Sequence, residues 1–369
     1  MASASPESGA PGALDQPGEV REEDRLDAAR LEAWLASAVP GTSGPVEVLQ
    51  FRQGHSNLTY LVRFGGREAV LRRAPRGANI KGGHDMRREY TILGALQGSF
   101  KKAPSPIAFC EDDSVLGAQF YLMERVHGVV LRKSGAPPGV ELTPAVLAGL
   151  ADSFIDLLAA LHGLDVTRPP LAGIGKPQGY VQRQVAGWTD RYFKAKTDEV
   201  PTIEEVAAWL GRNMPAESGA ALVHNDYKYD NLVLDPEDLT RIVAVLDWEM
   251  ATLGDPLLDL GSTLAYWVEP DDGEEMRMVA FGPTALPGSP NRAELVERYA
   301  SRTGREAGSM LFHYVYGLFK LAVIVQQIYK RYRQGFTTDP RFAALGMAVQ
   351  VLGQQATRAI EKDRIHALG

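Results

Sequence analysis

Residues 222–231, LVHNDYKYDN, bring together one histidine, two aspartates, one lysine and one asparagine. His224 precedes Asp226 by two positions and Asn231 follows it by five. Sixteen residues after Asn231, the apolar run RIVAVL ends in Asp247 of LDWEM. A carboxylate and an amide at the ends of neighbouring strands can hold Mg²⁺ while the ion keeps waters and phosphate oxygens. A separate carboxylate nearby can accept a hydroxyl proton as that oxygen attacks phosphorus. These are the parts that phosphoryl transfer requires. An H-x-D-x-x-x-x-N string alone reads as a solvated turn. Its setting decides for chemistry: strand, loop, strand, turn, strand and aspartate, all behind a sheet-forming region.

The elements that must position these groups are legible as periodicities. Residues 24–38 place Leu26, Ala29, Leu31, Trp34 and Leu35 near one helical face. The stretch VEVLQFRQGHSNLTYLVRFGGREAVLRRA carries β-branched and aromatic runs split by a polar loop at Gly54 and a Gly65–Gly66 turn. It predicts three consecutive antiparallel strands. A helix is expected at about 84–97, then strands near 106–110 and 118–125. Helical spacing returns over 143–163 and 176–213, short strands interrupt it within 220–248, and the chain reads as mostly helical from about 292. The expected fold class is α+β: a five-stranded antiparallel N-lobe with one helix over 24–126, then a mostly helical C-lobe over 127–369. Residues 1–23, rich in Ser, Pro, Gly and Ala, read as a disordered tail.

Composition narrows the function classes. Net charge is −7 with pI near 5.6, and no basic tract exceeds short clusters such as Arg72–Arg73. Nucleic acid and anionic membrane are therefore not the expected partners. No run approaches the roughly 18 consecutive apolar residues of a membrane span, and the N-terminus lacks the basic start and apolar centre of a signal peptide. The single cysteine, Cys110, excludes an internal disulfide and a cysteine-based zinc cluster, and suits a reducing, cytoplasmic setting. Seven histidines, none paired at ligand spacing, argue against a metal-dependent hydrolase.

The segment 222–267, LVHNDYKYDNLVLDPEDLTRIVAVLDWEMATLGDPLLDLGSTLAYW, resembles the aminoglycoside phosphotransferase superfamily of small-molecule kinases. LDWEMATLGDPLLDLG and LFKLAVIVQQIYKRYRQG are similar to the branch whose kinase-like domains also occur joined to acyl-CoA dehydrogenases, and the likeness covers about residues 25–355. The resemblance implies a bilobal protein-kinase-like fold, with Asp226 as catalytic base and Asn231 and Asp247 as Mg²⁺ ligands. It implies that His224 ties the loop to backbone near Asp247. Lys228 is either a neutraliser of the moving phosphoryl group, as the resemblance implies, or a solvated loop lysine. Asp230 receives no role. Asp255 is expected to cap the next helix, and Asp259 to hold the catalytic loop.

On the nucleotide side, FRQGHSNLTY has one glycine where protein kinases have G-x-G-x-x-G. Gly54, Ser56 and Asn57 can still offer amides and small polar groups to phosphate oxygens. Ala69, Val70, Leu71 and Arg72 line up with V-A-I-K, so an arginine fills the lysine slot, where its planar fork suits paired phosphate oxygens. Glu89, 17 positions on, is the expected ion-pair partner. The resemblance makes Met123, Glu124 and Val126 of FYLMERVHG the hinge against adenine, with Glu124 also in reach of ribose.

The expected activity is ATP- and Mg²⁺-dependent phosphorylation of a small-molecule hydroxyl acceptor. Lys320, Lys330, Arg331 and Arg333 beside Tyr314, Tyr316 and Tyr329 suit an anionic acceptor with an apolar part, and the branch resemblance points to a hydroxy acid or hydroxyacyl-CoA. HND in place of the commoner HGD keeps a choline or ethanolamine acceptor open. The sequence also leaves room for an aminoglycoside acceptor and for a nucleotide-binding pseudokinase module. No residue pattern sets an oligomeric state.

Overall fold

The computed structural model describes residues 16–369 apart from 43, 52–56, 76–84, 133–135 and 337–339. Gly54 and Ser56, expected to face phosphate, lie outside the described residues.

Asp27 opens the first helix, α1 (Ala28–Ala38), by accepting the Arg30 amide, and Leu31 and Leu35 on its apolar stripe are fully buried. The β-branched runs that follow form β1 (Glu47–Phe51), β2 (Leu58–Phe64) and β3 (Arg67–Arg73). After α2 (Met86–Leu96) come β4 (Pro106–Cys110), the one-turn α3 (Asp113–Leu116) and β5 (Phe120–Glu124). Among the described residues the sheet has five strands in the order β1-β2-β3-β5-β4, all antiparallel. Side-chain alternation splits its two faces. Tyr60, Val62, Ala69, Leu71 and Leu122 pack with α1, whereas Val70, Tyr121 and Met123 join α2 and the main core. One expectation needs correction: residues 16–23 are not wholly a disordered tail. Gly18 exchanges both backbone hydrogen bonds with Gln50 (2.8 and 2.9 Å) and Arg21 N donates to Gln50 Oε1, because the edge of β1 offers unpaired groups.

The larger lobe contains α4 (Pro144–His162), α5 (Tyr180–Ala195), α6 (Pro201–Arg212), α7 (Pro256–Ala265), α8 (Glu274–Met278), α9 (Arg292–Thr303), α10 (Leu311–Arg333) and α11 (Leu345–Lys362). Short strands β6 (Ala221–Val223), β7 (Leu232–Leu234), β8 (Ile242–Val245) and β9 (Thr252–Gly254) make two ribbons, β6 with β9 and β7 with β8. β9 is absent from the sequence reading because three residues carry no measurable alternation. By length and composition α4 and α10 could each cross a membrane without an unbroken apolar run, but 78% of the apolar window of α10 is buried inside the protein. α7 and α10 touch backbone to backbone at Gly261 and Gly317: a Cβ on either glycine would overlap the other helix's main chain.

Candidate active site

The catalytic loop leaves β6 and is held from beneath by a buried carboxylate. Asp259, in the first turn of α7, accepts the amides of His224 (2.8 Å) and Asn225 (2.7 Å), and His162 Nε2 lies 3.1 Å away. Burial opposes its ionisation, yet His162, with His224 and Lys320 nearby, holds the Asp259 carboxyl below the usual range. Asp255 caps α7 as expected, accepting from Leu257 N and Leu258 N. Asn225 adopts φ 67°, the left-handed region that Asn tolerates better than most residues. Its side chain is fixed by the Tyr180 hydroxyl (3.0 Å) and the Met250 carbonyl (3.1 Å), and its own carbonyl accepts from Lys320 Nζ.

His224 does what was expected of it. Nε2–H donates to the Leu246 carbonyl (3.0 Å), next to Asp247, which leaves Nδ1 to accept the Asp226 amide (3.3 Å). Burial lowers its pKa, so the neutral ring serves as a strut between the two segments.

On this frame four expected residues converge. Asn231 Nδ2 donates to the Asp226 carbonyl (2.8 Å) and to Asp226 Oδ2 (2.9 Å). Lys228 Nζ lies 3.1 Å from Asp226 Oδ2 and 3.3 Å from Oδ1, so it is an ion-pair partner rather than a solvated loop lysine. The Tyr266 hydroxyl donates to Asp226 Oδ1 at 2.6 Å. Burial works against ionisation of Asp226, but Lys228 and Tyr266 outweigh it and its pKa is lowered. Lys228 behaves conversely: burial disfavours its charge, Asp226 favours it, and its pKa is raised.

Asp247 stands opposite, in a left-handed conformation (φ 65°) at the start of a 3₁₀ turn. Arg72 reaches it from β3: Nη2 is 3.0 Å from Asp247 Oδ1 and 3.6 Å from Glu249 Oε2, and Nη1 donates to Glu89 Oε1 at 2.7 Å. The expected Arg72–Glu89 pair is thus present and buried, and Glu89 also accepts the Trp248 amide (3.2 Å). Arg88 Nη2 adds a bond to the Ala251 carbonyl (2.7 Å).

Sequence reasoning missed Glu249. It accepts from the Asn57 side chain, and burial and the neighbouring Asp247 push its carboxyl well up. Its only signal was the D-x-E spacing from Asp247. Among the described residues no group of three or more His, Cys, Asp or Glu is arranged to hold a metal alone. Hard oxygen donors, short of a complete cage, fit Mg²⁺, which takes one or two carboxylates and shares the rest of its shell with phosphate and water.

The site opens into a cleft of about 330 Å³ between the lobes, within the range of small-molecule pockets. Asn57, Arg72, Met123, Glu124, Val126 and Asp230 all line it, as do Asp226, Lys228, Asn231 and Asp247. Glu124 Oε2 accepts the Ser105 amide (3.2 Å). Among the described residues lining the cleft, none of Lys320, Lys330, Arg331 and Arg333 appears, so the cationic acceptor wall expected from the late helices does not form there. Lys320 is buried under the catalytic loop, Lys330 donates to the Lys194 carbonyl, and Arg333 lies near Asp198. Tyr314 and Tyr316 are fully buried. Helix α10 presents Leu321, Ile324, Val325 and Ile328 to the cleft instead. Helical spacing revealed an apolar and a cationic stripe but not which one would turn inward.

Comparison with known proteins agrees with this geometry. Residues 47–295 match the phosphotransferase enzyme family (APH). Acyl-CoA dehydrogenase family member 11 from Homo sapiens is 33% identical over 355 residues, which is 94% of this chain and 44% of that protein. Family member 10 from Mus musculus is 34% identical over 317 residues, 85% of this chain and 29% of that protein. The chain therefore spans less than half the length of these relatives. A solved structure from Ralstonia eutropha, provisionally described as an aminoglycoside phosphotransferase, superposes with TM-score 0.75 at 34% identity, covering 92% of this chain and 99% of that one. Choline kinase from Cryptosporidium parvum (TM-score 0.58, 13% identity, 90% and 100% covered) shares the fold.

Proposed function

The chain belongs to the phosphotransferase enzyme family, acting on a hydroxyl acceptor, and from that premise we propose that it transfers the γ-phosphoryl group of ATP, with Mg²⁺, to a hydroxy acid or hydroxyacyl-CoA. The observation that carries this reading is the meeting of Asp226, Lys228, Asn231 and Asp247 in one cleft, with Asp226 bonded to both Lys228 and Asn231.

The acceptor oxygen attacks the γ-phosphorus, the bond to the ADP oxygen breaks, and the hydroxyl proton passes to Asp226 Oδ1 or Oδ2. Asp226 is ionised at neutral pH, because Lys228 and Tyr266 favour its charged form over the cost of burial. Lys228 holds a positive charge beside the base, where the transferred group gathers negative charge. Asn231, through its amide oxygen, and Asp247 would hold Mg²⁺, which when bound supplies charge neutralisation to the phosphates. Arg72, braced by Glu89, is the cation available to the remaining phosphate oxygens. The apolar face of α10 supports an acyl chain as the body of the acceptor, and so do relatives named as acyl-CoA dehydrogenase family members.

The test is ATP consumption across hydroxy acids, hydroxyacyl-CoAs, amino alcohols and aminoglycosides. Turnover is expected with a hydroxy acid or hydroxyacyl-CoA, and Asp226→Ala should abolish it. Turnover confined to amino alcohols or aminoglycosides would overturn the acceptor class, and an unchanged rate in Asp226→Ala would overturn the mechanism.

A further inference from the structure

An ionised carboxylate accepts about four hydrogen bonds, and those of Asp226 are taken. Asn231 occupies Oδ2, Lys228 reaches both oxygens, and the Tyr266 hydroxyl occupies Oδ1 at the shortest distance, 2.6 Å. For Asp226 to receive a proton from an incoming hydroxyl, one donor must yield. Asn231 also holds the Asp226 carbonyl and is part of the loop itself. Lys228 is the charge partner. Tyr266 is a neutral single donor at the C-terminal cap of α7, with its ring lining the cleft, edge-on to Phe281 (5.2 Å, 85°) and under the Lys228 ammonium (4.8 Å).

We propose that Tyr266 is a specificity-determining residue: its hydroxyl stands in for the acceptor's on Asp226 and keeps water from that place until an acceptor displaces it. The proposal rests on Asp226 being the base. Water donates an O–H to the carboxylate but has no apolar body, so it gains little beyond the bond it would replace. An acceptor with an apolar part packs on Phe281 and on Leu321 and Ile324 of α10, and that binding energy can move the tyrosine ring. The device separates phosphorylation of the acceptor from wasteful hydrolysis. In hydrolysis, water oxygen attacks the γ-phosphorus, the bond to ADP breaks, and a water proton passes to Asp226, leaving ADP and phosphate.

The experiment needs no acceptor. Phosphate release from MgATP is measured for the wild type, Tyr266→Phe, Tyr266→Leu and Asp226→Asn combined with Tyr266→Phe. Tyr266→Phe keeps the ring on Phe281 and should raise acceptor-free hydrolysis about tenfold; Tyr266→Leu should give at least that gain. The acid limb of the hydrolysis pH profile should move up in Tyr266→Phe, because Asp226 loses a donor that favours its ionised form. The double variant should lose the gain. An unchanged or lower rate in both single variants, or a gain that survives in the double variant, overturns the proposal. If Asp226→Ala still turns over the acceptor panel, the base assignment falls; if it does not and Tyr266→Phe shows no gain, only the role of Tyr266 falls.

Discussion

A base that works at neutral pH has to be ionised before the hydroxyl arrives, and Lys228, Tyr266 and Asn231 arrange this for Asp226 from three directions. The acid limb of kcat/KM should therefore lie below the ordinary aspartate value of about 3.9, with no loss assignable to Asp226 between pH 6 and 8. A rate profile against a fixed acceptor checks this. Arg72 makes a second residue-level case. Removing it in Arg72→Ala leaves Glu89 buried beside Asp247 without its cation, so unfolding free energy should fall by about 3–5 kcal/mol, measurable by urea titration. The Asp226, Asn231 and Asp247 set was legible because its spacing is local or spans one hairpin, and Arg72 with Glu89 because a strand and the next helix fix their offset. Tyr266 and Lys320 were not, because what each touches depends on how α7 and α10 pack against the loop, and Glu249 was not, because its partners Asn57 and Arg72 come from the sheet lobe.

Between residues and fold lie the elements that carry them. The strands and helices of the N-lobe follow from alternation and caps, but support of the catalytic loop comes from one side chain of α7. Asp259 accepts two loop amides and faces His162. Asp259→Ala leaves all of them buried without that acceptor, and a loss of about 3–5 kcal/mol is expected. The pH dependence has a definite sign. The folded pKa of Asp259 lies below its unfolded value, so its stabilisation is complete above the ordinary carboxylate pKa and fades as pH falls through the lowered folded value. Asp259→Asn should flatten that part of the acid stability curve, as seen by chemical denaturation at a series of pH values.

At the scale of the whole molecule, the two lobes are joined by more than the linker. Arg72 with Asp247, Glu89 with the Trp248 amide, and Arg88 with the Ala251 carbonyl all cross between the sheet lobe and the segment after β8. A single cooperative thermal transition is expected, and MgATP at 100 times its Kd should add about 2.7 kcal/mol of stability. Calorimetry with and without nucleotide tests both. The bilobal outline was legible from the change in texture near residue 128, because sheet and helix periods differ; the inward face of α10 was not, since burial there is decided by α7.

That contact between α7 and α10 also says where the protein can be retooled. With Gly261 and Gly317 set backbone to backbone, the path of α10 is fixed on one side, and Gly317→Ala should cost about 1–3 kcal/mol through overpacking. Further along that same side Leu321, Ile324, Val325 and Ile328 line the cleft. Those four positions form a replaceable tool face on a fixed shank, where swapping side-chain size can redraw the list of accepted molecules while the catalytic loop stays in place.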